Sequence, residues 1–327
     1  MGEQLFSRIT QYKMEIDYDN FQPKQKKRYF EKSGKKMTEI SFSSENFFHD
    51  IVTCGMPQFY LNRRCYMKRS EEIKYKVYLM RAALEVDDDG YIIVSDNIKY
   101  LDSSEKNFIK YYIGMFTTKL ISREIFDYEY LVHLGLVSQY KKVCRDRKEP
   151  DLVGFKNKTD EYSLFEAKGR QAVHKKMVAD AKAQLKSVHY ISGLKPELGV
   201  VCVAHPIKEG NRVICFMYDP IPSTNGEMQV NKGELLYVYY WPIYQLIKEK
   251  GMGEAYCRFS LDENKADEIK CHIEMPKKVF DLFTEYPDFS QWNKKERYSQ
   301  IKETMSGLYE YGKDDLLRIE LIGSERT

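Results

Sequence analysis

Two carboxylates and one ammonium group are spaced in this chain so that a divalent cation could bind between them. Asp151 follows Pro150 at the start of an apolar run, and Glu166 and Lys168 end a second apolar run after a polar loop. Residues i and i+2 of a strand share a face, so Glu166 and Lys168 are predicted to point the same way. If the two runs pair as a hairpin, Asp151 meets them at one sheet edge. Adjacent carboxylates repel each other, and a hard cation such as Mg²⁺ relieves that repulsion.

A bound Mg²⁺, or Mn²⁺ in its place, would lower the pKa of a water molecule and stabilise charge on a phosphoryl oxygen. Lys168 would position that water, help to deprotonate it, or neutralise the pentavalent intermediate. The competing interpretation is a cross-strand ion pair worth about 0.2–1 kcal/mol. That interpretation does not explain why a strand heading into the core should end in two charges.

The order of features around these residues is more specific than the charges alone, since acid-x-Lys triplets also occur at Glu72, Asp146 and Glu268. Residues 150–168 add Pro-Asp, two apolar strands, a short turn and a following helix. This combination resembles the PD-(D/E)xK signature of the restriction-endonuclease-like nuclease superfamily over about 95 residues. The resemblance implies a core of helix, three strands, helix and strand. It also implies metal binding by Asp151, Glu166 and the carbonyl of Ala167, with Lys168 assisting the attacking water.

Two further residues are candidates on the predicted helices that flank this hairpin. Glu129 lies in a stretch that resembles the aromatic-Glu-x-Leu-Val sequence of the Mrr-like branch, and it is predicted to be a further metal ligand on a helix, with Glu124 as its rival. Gln184 borders the inward stripe of the helix after the motif, where several nuclease branches place a Gln. Val188 stands where those branches have Tyr. The alternatives are a partly exposed helix acid for Glu129 and an ordinary polar residue for Gln184.

The helix after the motif is strongly basic, with only Asp180 opposing its cations. Beside a nuclease motif, this pattern favours contact with nucleic-acid phosphates over a merely solvated helix face. The predicted phosphate-binding residues are Arg170, Lys175, Lys176, Lys182 and Lys186.

The elements expected to position these residues form an α/β (α+β) fold, with a mixed sheet flanked by helices. Residues 103–134 are predicted to form two helices broken near 118–122, and a hairpin is expected around 87–90. Alternating and apolar runs predict strands at 151–155, 162–167, 198–204 and 212–218, and periodicity predicts a helix over 171–191. The run 235–240 is predicted to be one more strand.

The 327 residues suggest two domains, or one core with additions. The expected division is an N-terminal region over 1–120, a nuclease core over 121–250 and an acidic extension over 251–327. The net charge of +3 hides a segregation: residues 251–327 carry 16 acidic and 12 basic side chains, so the rest of the chain has a net charge of +7.

Several classes of protein are not supported by the sequence. It has no apolar stretch long enough for a membrane helix, no visible signal peptide, no metal spacing among its six histidines and no phosphate-binding glycine loop. Seven widely spaced cysteines favour a reduced, cytoplasmic protein. The expected function is a Mg²⁺-dependent nuclease, most simply a DNA endonuclease of restriction or anti-phage defence, with RNA left open as a substrate. A homo-oligomer or a partner protein is also left open. The alternative is a catalytically silent module that binds nucleic acid or a partner.

Overall fold

The computed structural model describes residues 3–6, 11–31, 36–54, 69–136, 141–142, 149–156, 159, 161–206, 211–219, 226–251, 254–260, 270–292, 299–300 and 318–322. The strands are β1 (Glu3–Gln4), β2 (Gln11–Asn20), β3 (Glu39–Ser43), β4 (Leu84–Val86), β5 (Ile92–Val94), β6 (Tyr130–His133), β7 (Lys141–Lys142), β8 (Leu152–Phe155), β9 (Tyr162–Gly169), β10 (Tyr190–Ile191), β11 (Leu198–Pro206), β12 (Val213–Tyr218), β13 (Glu227–Gln229), β14 (Tyr256–Ser260), β15 (Lys270–Glu274) and β16 (Arg318–Ile322). The helices are α1 (Pro23–Tyr29), α2 (Ser44–Thr53), α3 (Arg69–Ala83), α4 (Ser103–Glu124), α5 (Lys175–Lys186), α6 (Lys232–Lys250) and α7 (Lys277–Glu285).

A seven-stranded mixed sheet forms the centre of this α/β fold, in the order β3-β2-β12-β11-β9-β8-β6. β6, β8 and β9 pair antiparallel, and β9 then pairs parallel with β11. Because parallel neighbours need a crossover, α5 connects β9 to β11. β8 is buried along its whole length, as expected for a strand covered on both faces. Among the described residues, three smaller sheets of three strands each accompany the central sheet.

α4 crosses the central sheet and contacts the last residues of β9. It begins with a capping box, in which Asp102 and Glu105 each accept a hydrogen bond from the other's backbone N–H. Its contact with β9 depends on glycine. A Cβ atom at Gly169 would lie 1.7 Å from the carbonyl oxygen of Lys110, and one at Gly114 would lie 2.6 Å from the backbone nitrogen of Gly169.

The predicted break within residues 103–134 is wrong, because α4 continues unbroken from Ser103 to Glu124. The polar residues that suggested a break are bonded within the helix. Thr118 Oγ1 donates to the Gly114 carbonyl at 2.8 Å, and Ser122 Oγ donates to the Lys119 carbonyl at 2.8 Å. The second predicted helix is replaced by β6, so the sheet gains a strand before the motif.

The predicted strand over 235–240 is also wrong, since these residues lie in the middle of α6. A short apolar run does not distinguish a strand from a helix buried on all sides, and the run Leu235–Tyr240 is completely buried. The signal that identifies the helix is Asn231, whose side chain accepts hydrogen bonds from the backbone nitrogens of Gly233 and Glu234.

The other predicted elements are present with shifted ends. The helix expected over 171–191 is α5, which is shorter at both ends. The hairpin expected around 87–90 is formed by β4 and β5. The division of the chain at 120 and 250 stays a prediction. β2 and β3, from the N-terminal region, belong to the same sheet as the motif strands.

Candidate functional site

The candidate site lies where β9 extends beyond its partner β8. The β8–β9 pairing ends with Leu152 opposite Phe165, so the next residues of β9 project past the pair. Glu166 and Lys168 are on this projecting end, and Asp151 lies immediately before β8. The chain therefore brings the three motif residues together at the end of a hairpin, as the sequence predicted.

Hydrogen bonds lock these residues to one another. Glu166 Oε2 accepts from the backbone nitrogen of Asp151 at 3.0 Å, and Asp151 Oδ2 accepts from the backbone nitrogen of Ala167 at 3.1 Å. The Lys168 ammonium lies 3.3 Å from Asp151 Oδ2 and also donates to Glu166 Oε1. Two oxygens within hydrogen-bonding distance of one nitrogen are less than about 7 Å apart. Two oxygens that bind one Mg²⁺ at about 2.1 Å are at most about 4.2 Å apart, so a side-chain shift of a few ångströms would let both carboxylates bind the same cation.

Burial is the main influence on the ionisation of Glu166. This side chain is 0% exposed, and burial followed by the charge of Asp151 raises its pKa to about 7, against the opposing effect of Lys168. The Lys168 ammonium therefore does not fully offset the burial of Glu166 and the charge of Asp151. Additional positive charge would favour the ionised form of Glu166, which is the form that binds metal.

The donor atoms fit a hard divalent cation such as Mg²⁺. Asp151 Oδ1 accepts no hydrogen bond from the described residues. The N–H and C=O of one strand residue point to the same side, so the carbonyl of Ala167 faces Asp151 as its N–H does. Among the described residues, no group of three or more His, Cys, Asp or Glu side chains could hold a metal ion. Mg²⁺ commonly uses one or two protein carboxylates and keeps several waters.

Glu129 is not on a helix, contrary to the prediction. It lies between α4 and β6, and Lys119 Nζ donates to its backbone carbonyl at 2.6 Å. β6 runs antiparallel to β8, with Tyr130 opposite Phe155 and His133 opposite Leu152. Glu129 is therefore at the end of the strand pair away from Asp151, about five residues or roughly 17 Å along the strands. The structure does not bring it to the motif residues, because the helix ends five residues earlier.

Gln184 contacts the segment that precedes the site and not the carboxylates of the site. Its Nε2 donates to the backbone carbonyl of Glu149 at 2.9 Å. Glu149 is two residues before Asp151, so this bond attaches α5 to the segment that carries the first carboxylate. The predicted location at the border of the helix's inward face agrees with its partial burial.

The predicted phosphate-binding residues are not one continuous cluster, and only those before and in the first turn of α5 follow directly on the end of β9. Arg170 is exposed directly after β9, and its Nη1 donates to the carbonyl of Gly169 at 3.1 Å. Lys175 and Lys176 are exposed in the first turn of α5, which has no acidic residue, so this helix end favours anions. Further along α5, Lys182 lies 5.4 Å from the ring centre of Tyr218, and Lys186 lines a cavity of about 280 Å³ beside Glu197 and Asp219.

Three residues near the site carried no signal in the sequence. His133 precedes Leu134, whose backbone nitrogen donates to the Asp151 carbonyl at 3.0 Å. Burial lowers the pKa of His133 although the charge of Asp151 opposes this, and His133 Nδ1 accepts from the backbone nitrogen of Gly135 at 3.1 Å. Tyr111 and Lys110 reach the site from α4. Only the packing of α4 on β9 brings Tyr111 and Lys110 close to the motif.

A search of protein-family models, curated proteins and solved structures found no match to this chain. In the part of the chain that the structure describes, none of the helices has both the length and the apolar composition needed to cross a bilayer.

Proposed function

We propose that this protein is a metal-dependent nuclease that hydrolyses phosphodiester bonds. The observation that carries the proposal is the convergence of Asp151, Glu166 and Lys168 at the projecting end of β9. Two nearby carboxylates suit a divalent cation, and the ammonium beside them suits an anionic substrate.

The order of the elements supports the restriction-endonuclease-like interpretation. α4 is followed by the three antiparallel strands β6, β8 and β9, then by α5, then by β11 parallel to β9. This is the helix, three strands, helix and strand that the PD-(D/E)xK resemblance implies. Fold alone does not define an activity, so the proposal depends on the site residues.

In this proposal Asp151, Glu166 and the Ala167 carbonyl would hold Mg²⁺ or Mn²⁺. When bound, the metal would supply a water of lowered pKa and neutralise charge on the phosphate. Lys168 would release its contacts with the carboxylates and donate to the attacked phosphate or to the attacking water. Arg170 and the first turn of α5 would hold the neighbouring phosphates of the strand.

DNA is the proposed substrate and internal cleavage the proposed mode, with RNA as the alternative substrate. The proposed setting is an effector of restriction or anti-phage defence, which follows from the resemblance alone, and the proposed cytoplasmic location follows from the cysteine pattern. The second candidate is a catalytically silent module that binds nucleic acid or a partner protein. One observation favours it: the Lys168 ammonium contacts both carboxylates, as it would in a purely structural ion pair.

The test is cleavage of plasmid and single-stranded DNA in Mg²⁺, in Mn²⁺ and in EDTA. Asp151→Ala and Lys168→Ala are expected to abolish metal-dependent cleavage. The matched controls are Asp281→Ala and Lys277→Ala, which remove an exposed Lys–Asp pair separated by 2.8 Å on α7 and should leave cleavage unchanged. Mg²⁺ should also raise the melting temperature of the wild type and of the controls but not of Asp151→Ala.

Three results would separate the candidates. Cleavage that survives both Asp151→Ala and Lys168→Ala contradicts the assigned site. Retained nucleic-acid binding with no cleavage of any substrate supports the silent module. A melting temperature that Mg²⁺ shifts equally in Asp151→Ala and in the wild type places the metal elsewhere.

A further inference from the structure

Three large aromatic side chains are exposed close together on α3 and α4. Tyr75, Phe108 and Tyr111 keep 44%, 42% and 40% of their surface accessible. Tyr75 and Phe108, on the two helices, have ring centres 6.0 Å apart. We call these three residues the aromatic face. Exposed rings in a cluster are the feature of a binding surface, whereas single exposed apolar residues are ordinary.

The aromatic face is built on a rigid support. The ring of Tyr112, which is 5% exposed, packs edge-on against Phe108 at 4.9 Å and against Tyr111 at 5.3 Å. Tyr112 in turn contacts Phe116 at 5.6 Å in the core. Because a buried ring fixes both exposed rings, they are already ordered and lose little conformational freedom on binding a ligand.

The aromatic face continues into the candidate site. Lys110 and Gly114 of α4 contact the backbone of Gly169, next to Lys168. Tyr111 lies between these two contacts along the helix. Tyr111 directly follows Lys110, whose backbone carbonyl lies against Gly169, so the aromatic face borders the end of β9 that carries Glu166 and Lys168. A ligand on the face would therefore lead toward the carboxylates.

Positive charge accompanies the rings. Lys106 and Lys110 are four residues apart on α4 and so share a face, and the Lys110 carbonyl lies against Gly169, next to Arg170. The three cations are therefore close together, and burial with the charges of Arg170 and Lys106 lowers the pKa of Lys110. Lys106 Nζ donates to the Lys99 carbonyl at 2.9 Å, and Arg170 donates to the Gly169 carbonyl. Within the described residues, no carboxylate forms an ion pair with Lys110 or Arg170. Unneutralised cations at such spacing favour an anionic ligand.

We propose that the aromatic face and the cations Lys106, Lys110 and Arg170 bind single-stranded nucleic acid and direct it to Asp151 and Glu166. Unpaired bases stack on aromatic side chains while the phosphates contact Lys and Arg. A duplex does not offer its base faces, because its bases are stacked on each other. The inference rests on the proposed nuclease function and names its substrate as an unpaired strand.

The test is fluorescence anisotropy with a labelled oligothymidylate of about 20 nucleotides, in EDTA so that no cleavage occurs. The wild type is expected to bind it more tightly than a duplex of equal length. Phe108→Ala and Tyr111→Ala should each weaken binding roughly 5- to 100-fold. The matched control is Tyr256→Ala, since Tyr256 has the same 40% exposure but lies in the C-terminal sheet. Circular dichroism establishes that each variant is folded.

A modified oligonucleotide and a charge variant make the test more specific. An oligonucleotide of the same length with abasic sites should bind markedly more weakly than oligothymidylate, because it keeps the phosphates but lacks bases to stack. Lys110→Gln should weaken the binding of both the abasic and the ordinary oligonucleotide and reduce the dependence of binding on salt.

The outcomes also separate this inference from the proposed function. Equal binding of the abasic and ordinary strands, or single-strand binding that Phe108→Ala leaves unchanged, overturns the aromatic face as a single-strand site. If such a protein still cleaves duplex DNA in an Asp151-dependent way, the proposed function stands without the inference. If the single strand binds through Phe108 and is never cleaved, the inference stands and the proposed function fails.

Discussion

Two buried glutamates of this chain share an unusual property but differ in their surroundings. Glu166 on β9 and Glu234 in the first turn of α6 are both 0% exposed, and the pKa of each is raised to about 7. Glu166 forms an ion pair with Lys168 and accepts a hydrogen bond from the backbone nitrogen of Asp151. Among the described residues, neither carboxylate oxygen of Glu234 has a hydrogen-bond partner, and burial alone raises its pKa.

The comparison shows that a raised pKa reports burial and does not by itself identify a site. The side chains beside Glu166 reach solvent, with Asp151 28% and Lys168 17% exposed, so a substrate or a metal can approach them. Glu234 is completely buried, and it follows Gly233, where a Cβ atom would lie 2.4 Å from the Trp292 carbonyl oxygen. Convergent charges and access to solvent therefore distinguish the candidate site from an isolated buried acid.

The largest expected effect comes from neutralising Glu166, and the same change at Glu234 is the comparison. Glu166→Gln should reduce metal-dependent cleavage at least about 100-fold, because one metal ligand is lost. Glu234→Gln should change the cleavage rate less than about twofold, because Glu234 is not among the groups at the end of β9. The measurement is the initial rate of plasmid cleavage in Mg²⁺. Equal losses in the two variants would contradict the distinction drawn between them.

A glycine close to each glutamate in sequence provides the second test, Gly169 for Glu166 and Gly233 for Glu234. Gly169→Ala and Gly233→Ala both place a Cβ atom against a backbone oxygen, at 1.7 Å and 2.4 Å, so each should destabilise the fold by about 1–3 kcal/mol or more. Only Gly169→Ala displaces α4 from the candidate site, so only this variant should also slow cleavage at a temperature where it remains folded. Urea unfolding and cleavage rates check the two effects separately.

The third test uses the pH dependence of stability. The pKa of Glu234 in the folded protein lies above its ordinary value of 4.5, so its contribution to stability is complete below pH 4.5 and is lost as the pH rises through about 7. Glu234→Gln removes this titration. It should match the wild type near pH 4.5 and exceed it by up to about 3 kcal/mol near pH 8. A difference that does not change with pH would show that Glu234 keeps an ordinary pKa.

The smallest expected effect concerns the attachment of α5. Gln184→Ala removes the hydrogen bond to the Glu149 carbonyl and should cost about 0.5–1.5 kcal/mol of stability with a few-fold slower cleavage. Gln229→Ala, on β13, removes a side-chain bond to Glu227 that is exposed and should alter neither. Unchanged cleavage in Gln184→Ala would limit this residue to a structural role.

The elements that could be predicted were those with local signals. The motif strands and α5 follow from alternation, apolar runs and the turn residues between them, and the hairpin placed Asp151 beside Glu166 and Lys168. The errors arose where local signals were ambiguous. Thr118 and Ser122 suggested a break that their backbone hydrogen bonds remove, and the apolar run of α6 suits a strand as well as a buried helix.

The sequence by itself determined the three motif residues and the hairpin that joins them, because their spacing of a few residues and the period of a strand act locally. The tertiary structure alone decided that Glu129 lies at the distant end of β6 and that Tyr111 and Lys110 lie close to the motif. These positions depend on where α4 ends and on its approach to Gly169. Such contacts join residues more than fifty positions apart, which no local pattern records.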